Sequence, residues 1–411
     1  MKAKPHGPIP EGFDADTEGR LLIGGRSVSA WVEEAGETPV FLYIADRLRQ
    51  RVARLRSAMP ERLRLNYAVK ANPFPPLLET MRELVDGFDI ASGGELAMCE
   101  AANITADRIS FAGPGKRDAE LAAAITAGVT LNCESEGEVE RALSIGSEIG
   151  RKPRIALRVN PEFELRGSGM KMGGGAKPFG IDAARVPELA RYLGAQPCDW
   201  RGLHVFTGSQ ALDQAAIIET QGNVLDLAAE ICTTAGVGLP SLNMGGGFGV
   251  PYFHGDEALD IERVGEALRE RFAHLPDVLA ETEFHIELGR YLVAEAGIYC
   301  CRIVDRKESH GEIFLVTDGG LHHQLAASGN FGTVVRRNYP IAIADSFAAE
   351  PEERVNVVGC LCTPLDRLGD AVILPTAREG DIVVLFCAGA YGATASPAAF
   401  LGRGPAKELL V

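Results

Sequence analysis

Eight short apolar runs, most of them followed by a segment of helical period, succeed one another between residues 65 and 289, and this rhythm restricts the fold more than any other feature of the chain. The runs cover 65–71, 88–92, 108–113, 130–135, 154–160, 200–208, 241–247 and 283–289, with helical patterns such as 75–85, 117–127 and 214–235 between them. Strands alternating with helices predict a parallel sheet, because parallel neighbours need crossover connections. Eight such units predict closure into a (β/α)8 TIM barrel. Polar residues and glycines gather at the C-terminal ends of the runs: Lys70, Asp89, Ser92, Arg158, Asn160, His204, Gly245 to Gly247, Glu287 and Arg290. In a barrel those ends meet at one mouth, where chemistry is placed.

Beyond Arg290 the pattern changes to period-2 or continuous apolar runs at 297–304, 313–317, 355–359, 371–374 and 381–387, broken by Gly and Pro. An all-β domain is predicted there. Two early runs, 21–24 and 39–44, are strand-like and are expected to join it, which makes that domain discontinuous in sequence. The expected division is an N-terminal tail over 1–17, N-terminal strands of the β domain over 18–44, the barrel over 45–290 and the C-terminal β domain over 291–411. The glycine-rich loop 167–175 is expected to be mobile, with Lys171 and Met172 able to cover a site.

With 411 residues, 46% of them hydrophobic, the chain can bury a large core. Its net charge of -15 leaves no basic excess to neutralise phosphates, so nucleic acid and anionic membrane are not expected partners. No stretch is long and apolar enough to span a bilayer and the N-terminal residues lack a signal-type apolar region, so a cytoplasmic protein is expected. The nine cysteines have no zinc-type spacing; reduced thiols and no metal are expected.

Lys70 ends the run Leu65-Asn66-Tyr67-Ala68-Val69-Lys70, just before an Asn-Pro turn. A lysine held among apolar neighbours has its charged form disfavoured, and its amine can attack a carbonyl to form a Schiff base. Taken alone, Lys70 reads better as a lysine snorkelling from a strand end. Gly245-Gly246-Gly247 could present backbone N–H groups to an anion. A glycine run is more often a plain turn, but at the seventh strand end of a barrel a phosphate site is the expected use. A Schiff-base lysine and a phosphate cradle across one mouth point to pyridoxal 5'-phosphate. Glu287, aimed at the pyridine nitrogen, would keep that nitrogen protonated. From the sequence alone, an ion pair with Arg290 is as good a reading of Glu287.

With these motifs the chain resembles the pyridoxal-phosphate enzymes of the alanine-racemase fold type, in the branch of diaminopimelate and ornithine decarboxylases. The resemblance runs from about Pro39 to the C-terminal residues. Tyr67-Ala68-Val69-Lys70-Ala71-Asn72 resembles the family's cofactor-lysine segment, and Phe88-Asp89-Ile90-Ala91-Ser92-Gly93-Gly94-Glu95 its second-strand motif. Gly245-Gly246-Gly247 is similar to its phosphate loop, and Glu287-Leu288-Gly289-Arg290 to its E-P-G-R, with Leu288 in place of proline. Ala388-Gly389-Ala390-Tyr391-Gly392 is similar to the motif whose tyrosine approaches the phosphate. The resemblance implies cofactor contacts from Asp89, Arg158, His204, Phe206, Ser209, Gly289, Arg290 and Tyr391 besides the lysine, the glycines and Glu287. It also implies a homodimer with shared active sites, in which Cys362 reaches the other subunit's site and returns a proton after carbon dioxide leaves. Arg336 and Tyr339 are expected at the far end of the substrate, with Arg290, Thr363 and Tyr391 also in contact with it.

Two departures from the family pattern bear on substrate and cofactor. Where the family places a histidine over the cofactor ring, this chain has Phe206, and His204 two residues earlier is expected to contribute instead. After Cys362 comes Thr363, where diaminopimelate decarboxylases carry Glu and ornithine decarboxylases carry Asp to pair a distal ammonium. A buried ammonium without a carboxylate costs on the order of several kcal/mol, which disfavours free diamino acids. Cys362-Thr363-Pro364, Phe206-Thr207-Gly208, Lys171-Met172-Gly173-Gly174 and Ser396-Pro397-Ala398-Ala399-Phe400-Leu401-Gly402 resemble a smaller subgroup. It includes decarboxylases acting on a glutamyl group tethered to an acyl carrier protein and relatives encoded with exosortase systems. The expected activity is therefore α-decarboxylation of an amino acid with an acylated or carrier-tethered distal end. A meso-diaminopimelate decarboxylase, an amino-acid racemase and a non-catalytic cofactor-binding homologue are the alternatives.

Overall fold

The computed structural model describes residues 2–329 and 336–411. They divide into two compact units: Gln50–Gly249 with Leu259–Gly289, and Met1–Arg49 with Val250–Ala258 and Arg290–Val411. The sequence boundaries at 45 and 290 lie close to this division. The stretch Val250–Ala258, which grouped with the barrel in the sequence reading, belongs to the other unit.

The first unit is a closed parallel barrel. Its strands are β1 (Leu63–Ala68), β2 (Gly87–Ile90), β3 (Ile109–Phe111), β4 (Thr130–Cys133), β5 (Arg154–Asn160), β6 (Asp199–Val205), β7 (Ser241–Gly246) and β8 (Glu283–Leu288). Each pairs in parallel with the next, and β8 pairs with β1, which leaves no free edge in the ring. Sequence patterning succeeded because each strand buries an almost continuous apolar run between barrel interior and outer helices: Leu157, Phe88, Phe111 and Phe284 are fully buried.

The helices between strands begin and end where local chemistry dictates. Ser92 and Ser135 accept from the N–H groups of Glu95 and Glu138, and so cap the helices Gly93–Ala101 and Glu136–Ile149. Asp213 caps Gln214–Ala235, which Gly236 ends in the left-handed conformation. The loop 167–175 differs from expectation. Met170–Lys171 pairs antiparallel with Gly208–Ser209, and Lys171 Nζ lies 2.5 Å from Glu164 Oε2, so these residues are tied down rather than loose.

The second unit is built on the long strand Gly297–Ser309, which pairs antiparallel with Val40–Tyr43, Ile382–Leu385 and Glu312–Thr317. Val40–Tyr43 also receives Lys407–Leu410 in parallel, so the early strand joins the C-terminal sheet as the sequence implied. Leu21–Ile23 does not. It forms a separate small sheet with Asp14–Ala15 and Arg26–Ser27, although Leu21 and Ile23 pack in one core with Val40, Ile298 and Val384. Residues 1–17 are not a bare tail either: Lys4 and Gly7 donate backbone hydrogen bonds to Ala371 and Asn338.

Phe284 is wholly buried with its ring centroid 4.5 Å from that of Phe272. Phe284→Ala should destabilise the cofactor-free protein by about 3–5 kcal/mol in urea unfolding followed by circular dichroism.

Candidate active site

The C-terminal ends of the barrel strands carry a polar layer that closes across the interior. Glu287, on β8, lies 2.9 Å through Oε2 from Nε2 of His204 on β6. Asn243, on β7, donates through Nδ2 to Glu287 Oε2 at 3.2 Å and to Asp89 Oδ1, on β2, at 3.4 Å. β6 is not adjacent to β8, nor β7 to β2, so the His204–Glu287 and Asn243–Asp89 contacts span the barrel, while Asn243 reaches Glu287 from the neighbouring strand. Ser110 donates to Asp89 and accepts from Asn132. All six of these groups except the half-buried Ser110 are buried.

Burial raises the pKa of both carboxylates, but their surroundings separate them. At Glu287 the burial effect is overcome by the charge and hydrogen bond of His204, with help from Lys70 and Arg158, and the group is held down to about 2. At Asp89 burial and the neighbouring Glu287 charge act together and push the pKa well above the usual range, only partly offset by the hydrogen bonds of Ser110 and Asn66. Glu287 is therefore the carboxylate held ionised, and Asp89 the one whose charged form is disfavoured.

Lys70 lies in a 3-10 turn, Val69–Ala71, directly after β1. Val69 and Ala71 are buried, but Lys70 itself is exposed, because the turn takes its side chain out of the pleat. The apolar enclosure expected from its neighbours is therefore not what surrounds the amine. Phe206 lies below it instead, the ammonium nitrogen 5.4 Å from the ring centroid. His204 is committed to Glu287 and does not stand in for Phe206. Gly289 is where the Lys70 turn packs closest: a Cβ there would sit 2.7 Å from Ala71 Cβ.

Gly245, Gly246 and Gly247, at the end of β7 and just past it, fit between their neighbours with no space for side chains. A Cβ on Gly246 would be 2.1 Å from the Glu287 carbonyl oxygen, and Gly245 and Gly247 have φ of +67° and +80°. Asn243 Oδ1 accepts from Gly245 N–H at 2.9 Å, which ties this turn to the carboxylate layer. Arg158 is bound to buried Glu134 at 2.7 Å, and its guanidinium lies 5.1 Å from the Phe179 ring.

In the second unit, Arg290 donates to Tyr252 Oη at 3.0 Å and lies 4.8 Å over the Tyr391 ring. Tyr339 is buried and stacked on Tyr252 at 4.7 Å, so aromatic packing occupies it. Arg336 is half-buried and donates to the Leu365 carbonyl at 3.4 Å. Cys362 is exposed, and Thr363 Oγ1 accepts from the Leu365 N–H in its own turn.

Sequence reasoning gave no role to Asn66, Ser110, Asn132, Glu134 or Asn243. The available signal was a polar residue in the middle of an apolar run, as in Ser241-Leu242-Asn243-Met244. No cluster of three or more His, Cys, Asp or Glu able to hold a metal occurs among the described residues. Their helices include none long and apolar enough to cross a membrane.

Residues 45–294 match the family described as pyridoxal-dependent decarboxylase, pyridoxal binding domain. The chain belongs to that family. It is 36% identical over 382 residues to the L-glutamyl-(BtrI acyl-carrier protein) decarboxylase of Niallia circulans, covering 91% of this chain and 89% of the relative. It is 30% identical to the diaminopimelate decarboxylase of Methanothermobacter thermautotrophicus, over 92% of this chain and 88% of that protein. Among solved structures, the diaminopimelate decarboxylase of Helicobacter pylori complexed with L-lysine superposes with a TM-score of 0.82 at 25% identity, covering 93% of this chain and 94% of that one.

The chain is thus a decarboxylase whose cofactor is pyridoxal phosphate. Its residues fit that group. Asp89 Oδ2, His204 Nδ1 and Ser209 Oγ are buried polar atoms without a partner among the described residues, and the glycine turn leaves backbone rather than side chain facing its surroundings.

The charge assignment is testable through stability. A protonated Asp89 in the fold ionises on unfolding above the usual carboxylate pKa, so its contribution to stability declines as pH rises through and beyond about 4. Relative to wild type, cofactor-free Asp89→Asn should gain stability between about pH 4 and pH 7 in urea unfolding. A difference that does not vary with pH would contradict the assignment.

Proposed function

We propose that this decarboxylase removes the α-carboxylate of an amino acid whose distal end is acylated or joined to a carrier protein. The observation that carries this reading is Thr363 after Cys362, a neutral residue whose hydroxyl accepts a hydrogen bond in its own turn and cannot neutralise a distal ammonium. The 36% identity to a carrier-linked glutamyl decarboxylase supports it. The free diaminopimelate reading is the alternative, supported by the 30% identity to enzymes named for that activity.

Bound pyridoxal phosphate supplies the electron sink for the pair left behind when carbon dioxide departs. Lys70 is the residue whose amine would hold the cofactor. Phe206, beside the Lys70 amine, would pack against the cofactor without offering a proton. Glu287, kept ionised by His204, holds a proton on the ring nitrogen, and Asn243 orients that carboxylate. The N–H groups of the Gly245–Gly247 turn and the Ser209 hydroxyl would bind the phosphate, and Arg158 and Gly289 keep the surrounding turns in place. Arg336 and Tyr339 border the substrate's far end. Cys362 acts from the partner subunit of a homodimer as the acid that protonates the α-carbon. Nine cysteines without a disulfide agree with a reducing cytoplasm.

Two measurements test this reading. Mass spectrometry of a panel of free and carrier-linked amino acids should show loss of carbon dioxide from a glutamyl or similar carrier-linked substrate; turnover of free meso-diaminopimelate at ordinary enzyme rates without it would favour the alternative. Cys362→Ala should bind the cofactor as wild type does and lose about 10²-fold or more in turnover. Unchanged turnover removes the role given to this thiol.

A further inference from the structure

The barrel has a second concavity, at the N-terminal ends of its strands. A cavity of about 620 Å³ there is lined by Arg64, Arg82, Arg108, Arg154 and Arg201. Only three carboxylates share the wall, Asp86, Asp107 and Glu283, so it carries excess positive charge in a chain of net charge -15. Part of that charge is already engaged. Arg82 and Arg108 donate to the carbonyls of Ala102, Asp86 and Val85, and Arg64 Nε is 3.1 Å from Glu283 Oε1.

Arg201 is different. It donates no hydrogen bond among the described residues, its Nε is buried without a partner, and its contact to Asp199 is 3.7 Å. Arg154, in register with Asp199 on the neighbouring strand, lies 3.6 Å from the same carboxylate, so two guanidinium groups share Asp199, although Arg154 also feels Asp107 and donates through Nη1 to the Gly128 carbonyl at 2.8 Å. Burial pushes the Arg154 guanidinium down and the Arg201 charge pushes it further, as expected of two close cations.

The backbone builds this arrangement. The pairing of β5 with β6 is irregular between Trp200 and Gly202, which makes Arg201 an extra, unpaired residue. Gly202 has φ of +112°, and a Cβ there would stand 1.9 Å from the Ser241 carbonyl oxygen. Bulges of this kind re-aim a side chain, and this one is fixed by a position that only glycine fits. The cavity wall also includes Ser110 and Asn243, both hydrogen-bonded to Asp89, so an occupant would stand next to the layer that sets the charge of Glu287.

We propose that this cavity binds a small multivalent oxyanion, gripped by Arg201 and Arg154 at the barrel floor and distinct from the phosphate of the cofactor. Planar guanidinium forks match such oxygens in bidentate geometry, and an arginine without hydrogen bonds in the protein has its donors free for them.

The test uses cofactor-loaded protein, in which the phosphate turn at the opposite mouth is already filled. Calorimetric titration with inorganic phosphate and, separately, with citrate is compared with chloride at matched ionic strength. Saturable binding of phosphate identifies a phosphate-bearing ligand and binding of citrate a polycarboxylate; either supports the site. Arg201→Gln and Arg154→Gln should each weaken that binding about tenfold or more, while Arg201→Lys retains part of it and the exposed Arg185→Gln leaves it unchanged. Arg201→Gln loses no internal hydrogen bond, and an unaltered cofactor absorbance spectrum confirms that its barrel is intact. No saturable binding of either anion, or binding unchanged in both glutamine variants, overturns the proposal.

Discussion

Two carboxylates share one buried layer of the barrel, and the chemistry at its C-terminal mouth depends on which of them holds the charge. His204 hydrogen-bonds Glu287 across the interior and Asn243 does so from the neighbouring strand, while burial and that charge push the Asp89 carboxyl well above the usual carboxylate range. An ionised group so deeply buried persists only because partners converge on it, His204 from across the barrel and Asn243 from the next strand. Closure of the barrel brings them together, and an open sheet of the same strands could not place β2, β6, β7 and β8 around one point. The fold is thus a precondition of the electrostatics, and the electrostatics of the proposed proton on the cofactor ring.

The Gly245–Gly247 turn is joined to the same layer. Asn243 uses its amide nitrogen for the carboxylates and its oxygen for the Gly245 N–H, so a single side chain couples the phosphate turn to the group assigned to the ring nitrogen. Lys70 is held differently: buried Val69 and Ala71 anchor its turn, Gly289 permits the close packing, and the amine projects over Phe206. A rigid base with one exposed amine suits a lysine that must give up one bonding partner and accept another.

The barrel, its strand order and the residues at its mouth were legible in the sequence because each depends on local periodicity and strand position. Lys70, Glu287 and the three glycines were found where apolar runs end. What escaped depends on the closed geometry. Asn243 gains its role from contacts to β2 and β8, which no local pattern reveals. The exposure of Lys70 follows from a turn that replaces the last step of the strand, and the small sheet around Leu21–Ile23 forms because Asp14–Ala15 and Arg26–Ser27 satisfy its edges first. The grouping of Val250–Ala258 with the β unit is likewise a matter of tertiary contact rather than of composition.

Thr363 and Phe206 stand at positions where the resemblance to the family implies an ionisable group, and neither side chain can carry charge. The lysine, by contrast, is the point on which the assignment turns. Borohydride reduction of the pyridoxal-phosphate-loaded protein, followed by proteolysis and peptide mass spectrometry, tests it most directly. The account requires the cofactor to be fixed as a stable secondary amine on Lys70 Nζ; an unmodified Lys70, or a label on another lysine, would contradict it.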